Sequence, residues 1–250
     1  MKIVAVIPAR YQSQRFPGKP LAEIGGVPMI NRVYNRVKQV KSLDGVIVAT
    51  DDKRIYQSII EDGGEARMTS DKHKSGTDRI AEVACELDDC DLIVNVQGDE
   101  PLIKSEMIEQ AVEPFYEFDN LKMSTLKMKI TEKEEIEDPN VVKVVTDKKD
   151  NALYFSRSPL PYKRKKTGQN IYKHIGLYVF TRKFLLKYTE MDSTPLENAE
   201  SLEQLRVLEN GYQIKVVETE YSSIGVDVPA DIKKVEKILQ EEEDLVGKKY

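Results

Sequence analysis

The sequence predicts an α/β fold organised around a parallel sheet. Three observations carry that prediction. Short β-branched apolar runs occur at Val4–Ile7, Gly45–Asp51 and Asp91–Gln97, helix-spaced residues lie between them, and each run ends in a polar tail. A parallel strand covered on both faces reads as a continuous apolar run, and strands alternating with helices build βαβ units. In such sheets ligands bind beyond the carboxyl ends of the strands. Ala9-Arg10, Thr50-Asp51-Asp52 and Gln97-Gly98-Asp99 are therefore expected to open onto one crevice.

The elements follow in order. Pro8 closes the first strand. Met29, Ile30, Val33, Val37 and Val40 recur at helical spacing behind Pro28, a good helix-starting residue, and predict a helix over 29–40. A second helix is expected over 52–62, ahead of Gly63-Gly64. The later half is less regular. Val141–Thr146 and Ala152–Phe155 flank a Lys/Asp/Asn turn and read as a hairpin. Pro159–Asn170 reads as an exposed basic loop and Lys173–Thr181 as a strand. Leu202–Asn210 reads as a helix stopped by Gly211, Ile214–Glu218 as a strand, and Ala230–Glu242 as a helix with a charged outer face. No internal repeat or low-complexity linker divides the chain. The expectation is one α/β body over 1–250 in which about 120–215 forms a smaller, strand-rich lobe.

Composition excludes several function classes. The 250 residues carry 38 Lys+Arg against 43 Asp+Glu, a formal net charge of −5. That balance argues against a whole-chain nucleic-acid or membrane-surface binder. No run approaches the ~18 apolar residues of a spanning helix, and the apolar part of the N-terminus is too short for a secretory signal. Cys85 and Cys90 are the only cysteines and there are two histidines, which argues against a disulfide framework or a zinc site. A soluble, cytoplasmic protein with no nucleic-acid partner and no membrane insertion is expected.

Four segments could carry chemistry. Arg10, Arg15 and Lys19 share one loop with Gly18 after the first strand, and cations on a glycine-bearing strand-end loop suit phosphate oxygens. Gly18-Lys19 is followed by Pro20, so this is no Walker loop, and the Rossmann glycine fingerprint is missing too. Asp99, at the end of the third strand, is a candidate Mg²⁺ ligand, with Asp227 of Gly225-Val226-Asp227 a second; Mg²⁺ needs only one or two protein carboxylates beside phosphate and water. Ser75, Gly76 and Thr77 precede a helix and either cap it or present amides and hydroxyls to a ligand. His174 on a strand and Glu203-Gln204 on a later helix form the fourth group, for which a structural histidine and a solvated helix face are the alternatives.

Taken together, Val6 to Tyr11, Arg15 to Leu21, Ser75 to Arg79, Asn95 to Pro101, Ala152 to Arg157, Lys173 to Gly176, Leu202 to Arg206 and Gly225 to Asp227 resemble the 3-deoxy-manno-octulosonate cytidylyltransferase (CMP-Kdo synthetase) family, collinearly from about residue 3 to residue 238. The resemblance implies a nucleotidyltransferase-like, Rossmann-type fold with a mixed, mostly parallel sheet between helices. It implies a smaller lobe serving sugar binding and homodimerisation, and Mg²⁺-dependent transfer from CTP to Kdo with release of pyrophosphate, for lipopolysaccharide or capsule synthesis. By position, Ala9, Arg10, Arg15, Lys19, Ser75, Gly76 and Thr77 would meet the nucleotide, and Asp99 and Asp227 the metal. Gln97, Arg157, His174, Glu203 and Gln204 would line the acidic-sugar pocket, and Arg15, Lys19, Asp99 and Asp227 would be catalytic. The family usually reads Gly-Val-Asp-Thr-Pro-Glu-Asp where this chain has Gly225-Val226-Asp227-Val228-Pro229-Ala230-Asp231, a departure that bears on local capping. The basic stretch 163–170 has no assigned counterpart. An 8-amino analogue of Kdo or another acidic sugar is the alternative substrate, and a catalytically silent nucleotide-binding protein is the alternative of a different class.

Overall fold

The computed structural model describes residues 1–12, 16–165 and 168–247. In chain order the elements are β1 (Ile3–Ala9), a one-turn 3-10 helix (Lys19–Leu21), β2 (Glu23–Ile24), β3 (Val27–Pro28), α1 (Met29–Val37), β4 (Gly45–Thr50), α2 (Lys53–Glu61), β5 (Ala66–Met68) and α3 (Gly76–Cys85). There follow β6 (Leu92–Asn95), α4 (Ser105–Val112), α5 (Pro114–Glu117), β7 (Met123–Lys129), α6 (Lys133–Glu137), β8 (Lys143–Thr146) and β9 (Ala152–Ser156). The remainder is β10 (Tyr172–Thr181), α7 (Arg182–Thr189), α8 (Pro195–Glu200), α9 (Gln204–Glu209), β11 (Lys215–Glu218) and α10 (Pro229–Gly247). Two compact units result. The first comprises 3–88, 95–105 and the chain from Ser223 onward, and the second 1–2, 89–94 and 106–222.

In the first unit β1, β4 and β5 pair in that order and in parallel, with Val6 opposite Ile47 and Ala49 opposite Arg67. Ile3 to Ile7 are all buried, as a strand covered on both faces requires. α1 begins behind Pro28 and buries Met29, Ile30, Val33 and Val37. It ends at Val37 rather than at Val40; the Val40 N–H closes a final turn on the Val37 carbonyl and its side chain is still buried. Asp52 caps α2 by accepting from the Arg54 N–H at 2.9 Å. Ser75 and Asp78 form a capping box on α3, the Asp78 N–H donating to Ser75 Oγ at 3.1 Å and the Ser75 N–H to Asp78 Oδ2 at 3.2 Å. The last helix lays Val235, Ile232, Ile238 and Leu239 against Ile24, Met29, Leu102 and Val226. Polar anchors hold its outer side: the Gly25 N–H donates to Glu236 Oε1 at 3.0 Å, and Glu242 pairs with Arg36 at 2.7 Å and with Lys104.

In the second unit the strand order is β11-β7-β10-β6, with β8 on β10 and β9 on β8. β7 runs antiparallel to β10 and parallel to β11. The β8–β9 hairpin forms where the sequence indicates it; Asp147 accepts from the Lys149 and Asn151 N–H groups at 2.8 Å each, and Asp150 takes φ +58°. β7 has no apolar signature because three of its buried residues are polar: Ser124, Thr125 and Lys127. Lys127 is neutralised locally, its Nζ donating to Asp150 Oδ1 at 2.7 Å and Thr146 Oγ1 at 3.0 Å. β5, α4 and α7 are also additions to the elements read from sequence. Among the described residues no helix is long and apolar enough to cross a membrane.

The packing of α10 yields a stability prediction. Ile24 is fully buried under it, while Ile60 on α2 is exposed. Ile24→Ala is expected to cost about 2–5 kcal/mol in urea unfolding, and Ile60→Ala less than about 0.5 kcal/mol; equal costs would contradict the buried seam.

Candidate functional site

The ends of β1 and β4 and the segment after β6 open onto a cleft of about 870 Å³ in the first unit, as the sequence pattern predicts. Its lining includes Ala9, Arg10, Lys19, Gly76, Gln97 and Asp99 from the expected set, together with Tyr11, Asp51 and Asp71. The backbone comes unusually close at its floor. A side chain at Gly98 would put its first carbon 2.8 Å from the Pro8 carbonyl oxygen, so this position demands glycine. Gly18 takes φ +73°, its N–H donates to the Tyr11 carbonyl at 2.9 Å, and the turn delivers Lys19 into the cleft. The Tyr11 ring is covered by the Arg54 guanidinium at 3.3 Å, and Asp52 holds that guanidinium through Nε and Nη2.

The charge arrangement is specific. Lys19 Nζ lies 2.6 Å from Asp99 Oδ2 and 3.7 Å from Asp227 Oδ1. One ammonium thus stands between two carboxylates from segments more than a hundred residues apart in sequence. The Val226 N–H donates to the Asp99 carbonyl at 2.9 Å and fixes those segments to each other. An ammonium occupying a position between two carboxylates is what a cation site looks like with a stand-in ion. The donor set suits Mg²⁺, which takes one or two carboxylates and completes its shell with phosphate oxygens and water. Among the described residues no group of three or more His, Cys, Asp or Glu side chains is gathered as a metal-binding cluster. Beside Asp99, burial and the neighbouring carboxylate push Glu100 up to about 7.

The other nucleotide candidates take graded positions. The Arg10 Nη1 donates to the Lys74 carbonyl at 3.4 Å, and Gln97 Nε2 to Asn95 Oδ1 at 3.2 Å. Gly76 is in the cleft wall, while Ser75 is the N-cap of α3 and Thr77 is buried. The α3 start is buttressed by Arg79, a completely buried arginine that pairs with Asp51 at 2.7 Å and donates to Thr69. Arg15 lies outside the described residues. Asp51 and Asp71 were not singled out as ligand contacts from sequence; Asp51 stood in a strand tail already aimed at the crevice, and Asp71 carried no such signal.

The remaining candidates, Arg157, His174, Glu203 and Gln204, lie in the other unit. His174 and Tyr178 of β10 are four residues apart, which a regular strand would separate by about 13 Å. Yet their ring centroids are 5.4 Å apart. The cause is a bulge: Ile175 pairs with Leu126 and Tyr178 already with Thr125, so β10 spends three steps against one. Phe155 meets His174 edge-on at 5.0 Å, and Thr125 Oγ1 is 3.0 Å from His174 Nε2. Burial pushes Tyr178 and Tyr188 upward and the Glu203 charge adds to both shifts; Tyr188 Oη also donates to the Glu203 carbonyl at 2.7 Å. Gln204 is buried, and its Nε2 has no hydrogen-bond partner among the described residues. Arg157 is held by the carbonyls of Glu200 at 2.7 Å, Pro139 at 2.9 Å and Ser201 at 3.3 Å. Three of its five N–H groups are thereby engaged.

Burial lowers His174 from its ordinary 6.5 to about 3, so the folded protein keeps it neutral. The unfolded chain takes up a proton as pH falls through about 6.5 and the folded chain does not, so stability present above 6.5 is lost between there and about 3, by up to about 1.4 kcal/mol per pH unit. His174→Asn is expected to flatten the pH dependence of the unfolding free energy in that window; an unchanged slope would show that His174 titrates freely in the fold.

A family profile described as Cytidylyltransferase matches residues 4–218. A 3-deoxy-manno-octulosonate cytidylyltransferase of Fusobacterium nucleatum subsp. nucleatum is 54% identical over 241 residues, covering 96% of this chain and 98% of the relative. One of the same name from Geotalea uraniireducens is 55% identical over 246 residues, covering 94% and 98%. A solved structure of CMP:2-keto-3-deoxy-manno-octonic acid synthetase complexed with CTP superposes with a TM-score of 0.93 at 42% identity, covering 97% of this chain and 100% of that one. A 4-diphosphocytidyl-2C-methyl-D-erythritol synthase from Anaerococcus prevotii, with a TM-score of 0.62 at 20% identity, shares the fold. With a cation held between two carboxylates at the strand ends and this similarity along nearly its full length, the chain belongs to the cytidylyltransferase family.

Proposed function

We propose that this chain activates 3-deoxy-D-manno-octulosonate (Kdo) with CTP, giving CMP-Kdo and pyrophosphate. The observation that carries the reading is the Lys19–Asp99–Asp227 constellation in the strand-end cleft. It supplies what direct displacement at a phosphorus needs, which is positioning and charge neutralisation rather than a covalent intermediate. The relatives' names and the solved complex with CTP support the choice of nucleotide and sugar. They also favour an active enzyme over a silent nucleotide-binding protein, since both acids are present.

In this reading Ala9, Arg10 and Lys19, with Arg15, Ser75, Gly76 and Thr77, bind the nucleotide. Lys19 offsets charge that builds on the departing pyrophosphate, for which it must leave its present carboxylate partners. Asp99 and Asp227 would hold Mg²⁺, which when bound orients the sugar hydroxyl and polarises the α-phosphate. Gln97, Arg157, His174, Glu203 and Gln204 would hold the sugar. A neutral His174 contributes hydrogen bonds and shape rather than charge there, and Arg157 and Gln204 bring donors for a carboxylate and hydroxyls. We also infer a homodimer formed through the hairpin unit, where Leu153 and Tyr162 leave 61% and 89% of their surface exposed. A cytoplasmic place in lipopolysaccharide or capsule synthesis follows from that product.

Pyrophosphate release from each NTP with Mg²⁺ and a panel of 2-keto-3-deoxy sugars tests the reading. Release with CTP and Kdo is expected; release only with an 8-amino analogue would move the assignment to that sugar, and none with any pair would end it. Asp99→Asn is expected to keep the fold and lose at least about 100-fold in Mg²⁺-dependent turnover; near-normal CMP-sugar formation would remove Asp99 from the metal. Arg157→Ala is expected to raise the sugar KM roughly tenfold or more with the CTP KM little changed, and equal losses would contradict its role.

A further inference from the structure

We infer that Asp231, at the start of α10, is a positioning residue that sets the carboxylate of Asp227 for metal binding. The inference rests on the reading of Asp99 and Asp227 as the metal ligands.

Asp227 sits in a short extended segment whose backbone is held from two sides. On one side the Val226 N–H donates to the Asp99 carbonyl at 2.9 Å, which fixes the distance between the two acid-bearing segments. On the other, Asp231 Oδ2 accepts from the N–H of Asp227 itself at 3.1 Å and from that of Val228 at 3.2 Å. α10 begins at Pro229, so Val228 occupies the N-cap position with a side chain that cannot accept a hydrogen bond. Asp231, the third helical residue, takes over by reaching back, which is one half of a capping box, and extends its grip one residue further to Asp227. Its second oxygen is fixed by Lys234 Nζ at 2.9 Å, and its side chain is 15% exposed. The helix carrying it is itself seated through Val235 and Ile232 on Ile24, Met29, Leu102 and Val226.

The Asp227 side chain is 62% exposed and meets Lys19 Nζ at 3.7 Å. The backbone that carries it, at 227–228, is held by Asp231. Residues that orient metal ligands in this way typically cost about 10–100-fold in metal affinity when removed.

The test is Mn²⁺ binding to the full chain, read from the electron paramagnetic resonance signal of free Mn²⁺ with CTP present and no sugar, so that no turnover contributes. Asp231→Ala is expected to raise the Mn²⁺ dissociation constant about tenfold or more, and Asp231→Asn, which keeps one acceptor oxygen, to recover most of that loss. Should Asp231→Ala fail to fold by circular dichroism, Asp231→Glu keeps the capping charge but moves the oxygens by one methylene, and is expected to weaken Mn²⁺ while still unfolding cooperatively. Asp227→Asn is the reference. If it weakens Mn²⁺ while a folded Asp231 variant binds as the wild type does, the positioning role is overturned and Asp231 is a helix cap only. If Asp227→Asn itself binds Mn²⁺ normally, the metal reading fails, and this inference with it.

Discussion

The cleft depends on one ion contact, Lys19 between Asp99 and Asp227. Two carboxylates held side by side repel. The lysine removes that conflict within the chain itself. It also explains why such different parts of the sequence converge: the glycine turn that delivers Lys19, the segment after β6 that carries Asp99, and the extended entry to α10 that carries Asp227 are each shaped by where this ammonium has to be. The close backbone approach of Gly98 to Pro8 belongs to the same constraint, since it lets the Asp99 segment descend toward the loop that bears Lys19.

The net charge of −5 gives no hint of this. Arg10 and Lys19 line the cleft, whereas many of the acids lie on exposed surfaces such as that of α6 or pair locally, as Glu242 does with Arg36 and Lys104 and Glu197 with Arg206. What decides ligand preference is the local field in a low-dielectric crevice, and that is set by which side chains the strand ends deliver.

The cleft was legible in the sequence because its signals are local. Continuous apolar runs mark β1, β4 and β6, and their polar tails follow immediately, so Ala9, Arg10, Asp51, Gln97 and Asp99 could be set on one rim from order alone. Of the second group, His174 and Glu203-Gln204 were legible as residue types, while Arg157 and the role they would share came only through resemblance. Thr125 and Lys127 lie on β7, whose buried polar residues find partners far away in sequence, Thr125 on β10 and Lys127 on the β8–β9 hairpin, so no run of apolar residues marks the strand. Nor does periodicity reveal that His174 and Tyr178 share a site, because that depends on pairing register. Asp231 reads as an ordinary first-turn acid, and only the two backbone N–H groups it accepts from give it another meaning.

That register irregularity has an engineering consequence. A one-for-one ladder between β10 and β7 would satisfy more backbone groups and is what a stability-driven redesign would select. The same repair would draw the two rings apart by roughly 8 Å while leaving a sturdier sheet. In this unit the imperfect ladder sets the spacing of the two rings, and a variant with a higher melting temperature there is one whose ring spacing has changed.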